Sequence, residues 1–167
     1  MKRRDCQRGF TLIEILVVLV LIAVVVGLIV INIDAGPLRQ QSTEALRLKT
    51  TLEQAASEAL IYGWNLGVVV DDEGFQVLVY DSDNRQWLGM EGRVYQHQWT
   101  IPLTVEVHLD GDREDMLLVA EQSDNVNPQL LFLASGESAP FQIELRSPKL
   151  DQGALLLSDG ISGVWLQ

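Results

Sequence analysis

At 167 residues and 47% hydrophobic content, the chain has the length of one domain and ample apolar material for a core. Its formal net charge of -11 is unevenly placed: Lys2, Arg3, Arg4 and Arg8 are four of the 12 basic residues, and without residues 1–9 there remain 8 basic against 22 acidic residues, a net of -14. That balance repels a phosphate backbone and argues against nucleic acid as a partner, and the single cysteine, Cys6, rules out an internal disulfide.

The first element is apolar. Ile15 to Ile31 carries no charge, and the wider stretch from Phe10 to Ile33 is interrupted only by Thr11, Glu14 and Asn32. At 1.5 Å per residue the wider stretch covers roughly 36 Å as a helix, against a hydrocarbon core of about 30 Å, so the sequence predicts a transmembrane helix. The basic cluster before it keeps residues 1–9 cytoplasmic and exports the chain beyond Asn32. Ile33-Asp34-Ala35 is a poor match to a small-x-small cleavage site, which disfavours cutting on the far side. Glu14 is the odd residue, since a charge at the bilayer centre costs about 2.5 to 3.5 kcal/mol on insertion scales. Two readings stand: Glu14 reaches the cytoplasmic headgroups beside Arg8, or it pairs with a positive charge from a neighbouring chain.

The run Arg8-Gly9-Phe10-Thr11-Leu12-Ile13-Glu14, followed by an unbroken apolar helix, closely resembles the class III signal of type IV pilins and type II secretion pseudopilins. The resemblance implies that a prepilin peptidase cuts between Gly9 and Phe10 on the cytoplasmic side and methylates the new amino group of Phe10. That amine is then the counter-charge for Glu14, within one helix at i, i+4 spacing or between neighbouring subunits. Glu14 becomes a registration device, because a wrong register strands a buried carboxylate.

Asp34-Ala35-Gly36-Pro37 predicts a kink or short break. Helical spacing resumes through Leu38, Ala45, Leu48, Leu52, Ala55 and Ala59, with Arg47, Glu53 and Glu58 off that stripe, so residues 34–63 read as an amphipathic helix packed on the β domain after it or, alternatively, in a short coiled coil. From 64 to 167 the pattern is of short strands: Leu66–Val70, Phe75–Tyr80, Gln86–Leu88, Val94–Trp99, Leu103–Leu109, Met116–Ala120, Leu130–Ala134, Phe141–Leu145, Ala154–Leu157 and Val164–Leu166. The expected fold is α+β: a cleaved leader (1–9), a long helix (transmembrane over 10–33, amphipathic over 34–63) and an antiparallel, β-sandwich-like periplasmic domain (64–167) of pilin-like form.

Among pseudopilins the chain is most similar to the minor pseudopilin group called GspH, on its size, its all-β domain after the helix and the segment Leu131-Phe132-Leu133-Ala134-Ser135-Gly136-Glu137 leading into Phe141–Leu145. This resemblance implies a structural subunit near the tip of a periplasmic pseudopilus that drives export of folded proteins, with the other pseudopilins, major and minor, the prepilin peptidase and the inner membrane as partners. The alternatives are a minor pilin of a type IV pilus, FimT-like, and a membrane-anchored periplasmic binding domain.

Other chemistry is weakly signalled. Asp110, Asp112, Glu114 and Glu121 follow the acid spacing of a calcium loop, but Asp115 occupies the position that needs glycine, so a hairpin turn is the expectation. His97 and His108 lack zinc-ligand spacing. Ser135 before Gly136 reads as a turn residue, and no nucleophile elbow, P-loop or dinucleotide fingerprint is present, so neither enzyme nor cofactor is expected. Trp64, Trp87, Trp99 and Trp165 read as core residues, with Trp165 the candidate for a partner contact.

Overall fold

The computed structural model describes residues 12–110 and 126–167, and the side chains of all of these except 24–35. Gly9, Phe10, the expected strand Met116–Ala120 and the loop acids Asp112, Glu114 and Glu121 lie outside the described residues. The chain divides into two compact units, Met1–Gly36 and Pro37–Gln167, and helix α1 (Leu12–Tyr62) contributes to both. No break interrupts α1, which holds Pro37 inside it. Proline removes one hydrogen bond, while long helical runs on either side keep propagation favourable.

In the first unit the side chains of Leu12 to Ile22 are exposed right around the helix, from Leu12 at 85% to Val18 at 47%. Eleven consecutive residues make three turns, so this cylinder is apolar on every side apart from Glu14. Among the described residues, however, no helix is long and apolar enough to cross a membrane. Of the stretch expected to do so, 10–33, side chains are described only for residues 12–23.

The second unit is built on the buried stripe of α1. Ala45, Leu48, Leu52, Ala55 and Ala59 are all at most 1% exposed, at alternating spacings of three and four. Leu38, expected on the same stripe, is instead 53% exposed. Leu38 lies three residues before Gln41, the first residue of this part of the helix to be buried.

Two antiparallel sheets share this core. The first comprises β1 (Leu66–Val70), β2 (Gly74–Asp81), β3 (Gln86–Gly89), β4 (Gln96–Gln98) and β6 (Leu130–Phe132), in the order β3-β2-β1-β6 with β4 also on β2. β3 and β4 divide one edge of β2, pairing with Leu78–Asp81 and Gly74–Gln76 respectively. The second sheet runs β5 (Thr104–Leu109), β7 (Phe141–Arg146), β8 (Ala154–Ser158), β9 (Val164–Leu166). Period-two alternation sends Leu66, Val68, Val70, Phe75 and Val77 from the first sheet, and Phe141, Ile143, Leu145 and Leu156 from the second, into one cluster with the α1 stripe. Each such Leu or Ile adds about 1.5 to 3 kcal/mol of burial.

Candidate assembly interface

Polar contacts from Gln41, Glu44, Arg47, Thr51 and Glu58 fix α1 to the β domain. Gln41 is buried and uses both ends of its amide: Oε1 accepts from Ser147 N at 3.1 Å, and Nε2 donates to Gln152 O at 3.1 Å. Thr51 Oγ1 donates to Val94 O at 3.1 Å. Glu44 carries the densest set. Its Oε1 accepts from the hydroxyl of Thr100 and from Thr100 N at 3.1 Å, and its Oε2 lies 2.7 Å from His97 Nε2.

Arg47 orders this cluster from outside. Its Nη1 lies 3.0 Å from His97 Nδ1, and since a guanidinium only donates, Nδ1 accepts and Nε2 carries the proton given to Glu44. Phe75 and Trp99 flank the imidazole at centroid distances of 5.7 and 6.0 Å. Burial pushes the Glu44 carboxyl up, but the hydrogen bonds from Thr100 and His97 outweigh it and hold the group below the usual glutamate range. Gly74 lets β4 come close enough for this: a Cβ there would collide with the backbone oxygen of His97.

At the other end of α1, Gly63 takes φ of 69° and Trp64 N donates to Ala59 O at 3.1 Å, the six-to-one bond of a Schellman cap. The cap turns Trp64 back onto Tyr62, with ring centroids 4.9 Å apart. Beside the last turns, Glu53, Ala56 and Ser57 line an open groove of about 350 Å³ with residues of the 136–138 and 160–163 loops.

The residues singled out from sequence do not gather into one site. Glu14 lies on α1 near the first of its described residues. Asp110 is exposed at the end of β5, and among the described residues no group of three or more His, Cys, Asp or Glu could hold a metal. His97 belongs to the first sheet and His108 to the second, the latter 3.8 Å from Glu106. Ser135 Oγ bonds Glu137 within its turn. Of the tryptophans expected in the core, Trp87 is buried and Trp99 half-buried, whereas Trp64 and Trp165 are 43% and 44% exposed. Trp64 follows the helix cap, and Trp165 points outward from β9, between Val164 and Leu166. Gln41 and Glu44 escaped the sequence reading although their spacing ahead of Leu48 places them on the stripe itself.

The profile of the type II transport protein GspH matches residues 44–160. The chain belongs to the GspH family. A second profile, the prokaryotic N-terminal methylation motif, matches residues 4–30. This GspH-family chain is 32% identical to type II secretion system protein H of Pseudomonas aeruginosa over 91% of its own length and 90% of that protein's. It is 27% identical to the protein of the same name from Aeromonas hydrophila, over 86% and 82%. The minor pseudopilin EpsH from the type 2 secretion system of Vibrio cholerae superposes with a TM-score of 0.60 at 20% identity, over 76% of this chain and 94% of that one, which establishes the shared fold of helix and antiparallel sheets. The GspH-family chain is thus a minor pseudopilin of a type II secretion system, a structural subunit that works by assembling with other pseudopilins.

Proposed function

We propose that residues 10–33 anchor the subunit in the inner membrane with residues 1–9 in the cytoplasm, and that a prepilin peptidase cuts between Gly9 and Phe10 and methylates Phe10. The β domain then stands in the periplasm, and the trimmed chain enters a pseudopilus near its tip. The observation that carries this reading is the helical segment Leu12–Ile22, exposed and apolar on all sides but for Glu14, inside the stretch matched by the methylation motif. A surface of that kind needs lipid before assembly and neighbouring helices afterwards. In the packed state the ammonium of Phe10 compensates Glu14, so the correct stagger satisfies both charges while others strand a carboxylate. Heterologous, head-to-tail contacts of this type extend a filament instead of closing a ring.

The test is the Gly9→Ala variant of the full chain, read by immunoblot and by mass spectrometry of the mature N-terminus. A precursor about 1 kDa larger is expected to accumulate, with N-methylated Phe10 on the wild-type protein only. Normal trimming of the variant, or a wild-type chain that retains Cys6, would overturn the reading.

A further inference from the structure

The end of α1 presents large apolar side chains to solvent. Leu60, Ile61 and Tyr62 are 60%, 71% and 59% exposed, and Trp64 adds its stacked ring. The Schellman cap at Gly63 and the Tyr62–Trp64 stack hold the two aromatics in place. Rigid Tyr and Trp side chains that lose little entropy on burial are the residue types that dominate binding energy in protein interfaces.

The surroundings say what kind of surface fits. The β1–β2 register pairs Leu66 with Val79, and Tyr80 N bonds Asn65 O at 2.9 Å, so the β2–β3 turn that carries Asp83 leaves the first sheet at the same end as Trp64 enters it. Arg85 shares that turn. On the other flank a Cβ at Gly136 would lie 3.3 Å from Leu60 Cδ1, so the Ser135–Glu137 turn borders the cluster with another carboxylate. The helix itself ends here with no basic residue in its last turn, leaving the negative end of its dipole without a cation of its own. This face lies at the opposite end of the second unit from Pro37, about 39 Å of helix away.

We infer that the Leu60–Ile61–Tyr62–Trp64 face is a docking surface for the globular domain of a different pilin-like subunit, one that brings an apolar ridge flanked by Lys or Arg. A second copy of this chain is the wrong partner, since residues 10–167 carry a net charge of -14 and a copy would oppose acid to acid. An anionic lipid surface is disfavoured by the same sign. The inference rests on the proposed assembly of this chain with other pseudopilins and adds the surface that selects the neighbour.

The experiment uses the full chain in secreting cells, with a photo-crosslinking amino acid at position 61 and, as control, at Thr50 on the exposed side of α1. Trimming at Phe10 and recovery with the pseudopilus are read from the same samples. Position 61 is expected to give a crosslink to another pilin-like protein, mapped by mass spectrometry to a segment with a basic residue next to apolar ones. The yield is expected to fall about fivefold or more with Tyr62→Ser and with the double change Asp83→Lys and Glu137→Lys. A crosslink to a second copy or to lipid, no crosslink from a trimmed and incorporated chain, or a yield indifferent to the charge reversals would overturn the surface alone. A chain that is never trimmed would remove the proposed assembly along with it.

Discussion

Glu44 on α1 and His97 on β4 meet at 2.7 Å across the seam between helix and sheet, and the carboxylate is almost wholly shielded from solvent. Fifty-three residues separate them in sequence. The contact therefore reports whether the helix is seated on the domain, because neither partner can be satisfied by its own element.

Acid should loosen this seat. The Glu44 carboxyl is held below the usual glutamate range in the folded chain, so at moderately acid pH the unfolded state binds more protons. The stability it contributes is complete above the ordinary value, near pH 4 to 5, and is lost as pH falls through the lower folded value. Glu44→Gln removes that dependence while retaining size. Denaturant unfolding of the detergent-solubilised chain between pH 3 and 7 is expected to show a shallower acid limb for the variant and, at neutral pH, a loss of about 1 to 3 kcal/mol. Parallel acid limbs would mean that Glu44 is not the group responsible.

Glycine substitutions separate backbone strain from collision. Gly63 has φ of 69° and open space where a Cβ would go, whereas Gly160 has φ of 80° and a Cβ there would collide with the backbone oxygen of Ser138. Gly63→Ala should cost about 1 kcal/mol, the penalty of a left-handed conformation for an L side chain. Gly160→Ala adds a collision with backbone and should cost clearly more, about 2 to 4 kcal/mol. Thermal melts that rank the two equally would contradict the close approach at Gly160.

Glu14→Ala tests the registration role. The variant should still insert and be trimmed, since removing a charge from an apolar segment eases insertion. Its recovery with the pseudopilus should drop about fivefold or more if the carboxylate sets the stagger against the Phe10 ammonium. Cysteine crosslinking between neighbouring helices gives the readout, and wild-type yield would leave Glu14 without that role.

Much of the β domain was legible because alternation is a local signal. β1 and β9 have the expected bounds, and Phe141-Gln142-Ile143-Glu144-Leu145 alternates as sequence and as structure, with Phe141, Ile143 and Leu145 buried. The helix stripe from Ala45 to Ala59 was equally plain. What the sequence hid were residues whose role depends on a distant partner. Glu44 reads as one more acid on a charged helix until β4 delivers His97 and the bend after it delivers Thr100, and Gln41 gives no hint of Ser147 and Gln152. Of the kink or short break expected at Pro37, the break is absent for the opposite reason: a local rule for helix breaking was outweighed by the long helix on either side. Trp64 misled because aromatic composition suggests a core, whereas its exposure follows from the cap at Gly63.

Leu46 and Leu48 provide the sharpest separation of the two faces of α1. They stand two residues apart, about 200° around the helix, and Leu48 is fully buried while Leu46 is 55% exposed. Leu48 belongs to the cluster that joins the helix stripe to both sheets, so Leu48→Ala opens a cavity that close-packed neighbours fill only in part. The expected loss is about 2 to 5 kcal/mol, and the melting temperature should fall by several degrees. Leu46→Ala removes the same atoms from a surface already in contact with water and improves helix propensity slightly, so its effect should stay within about 0.5 kcal/mol. Equal destabilisation by the two substitutions would mean that the helix is rotated on its sheets, and the Glu44–His97 contact would then be lost with it.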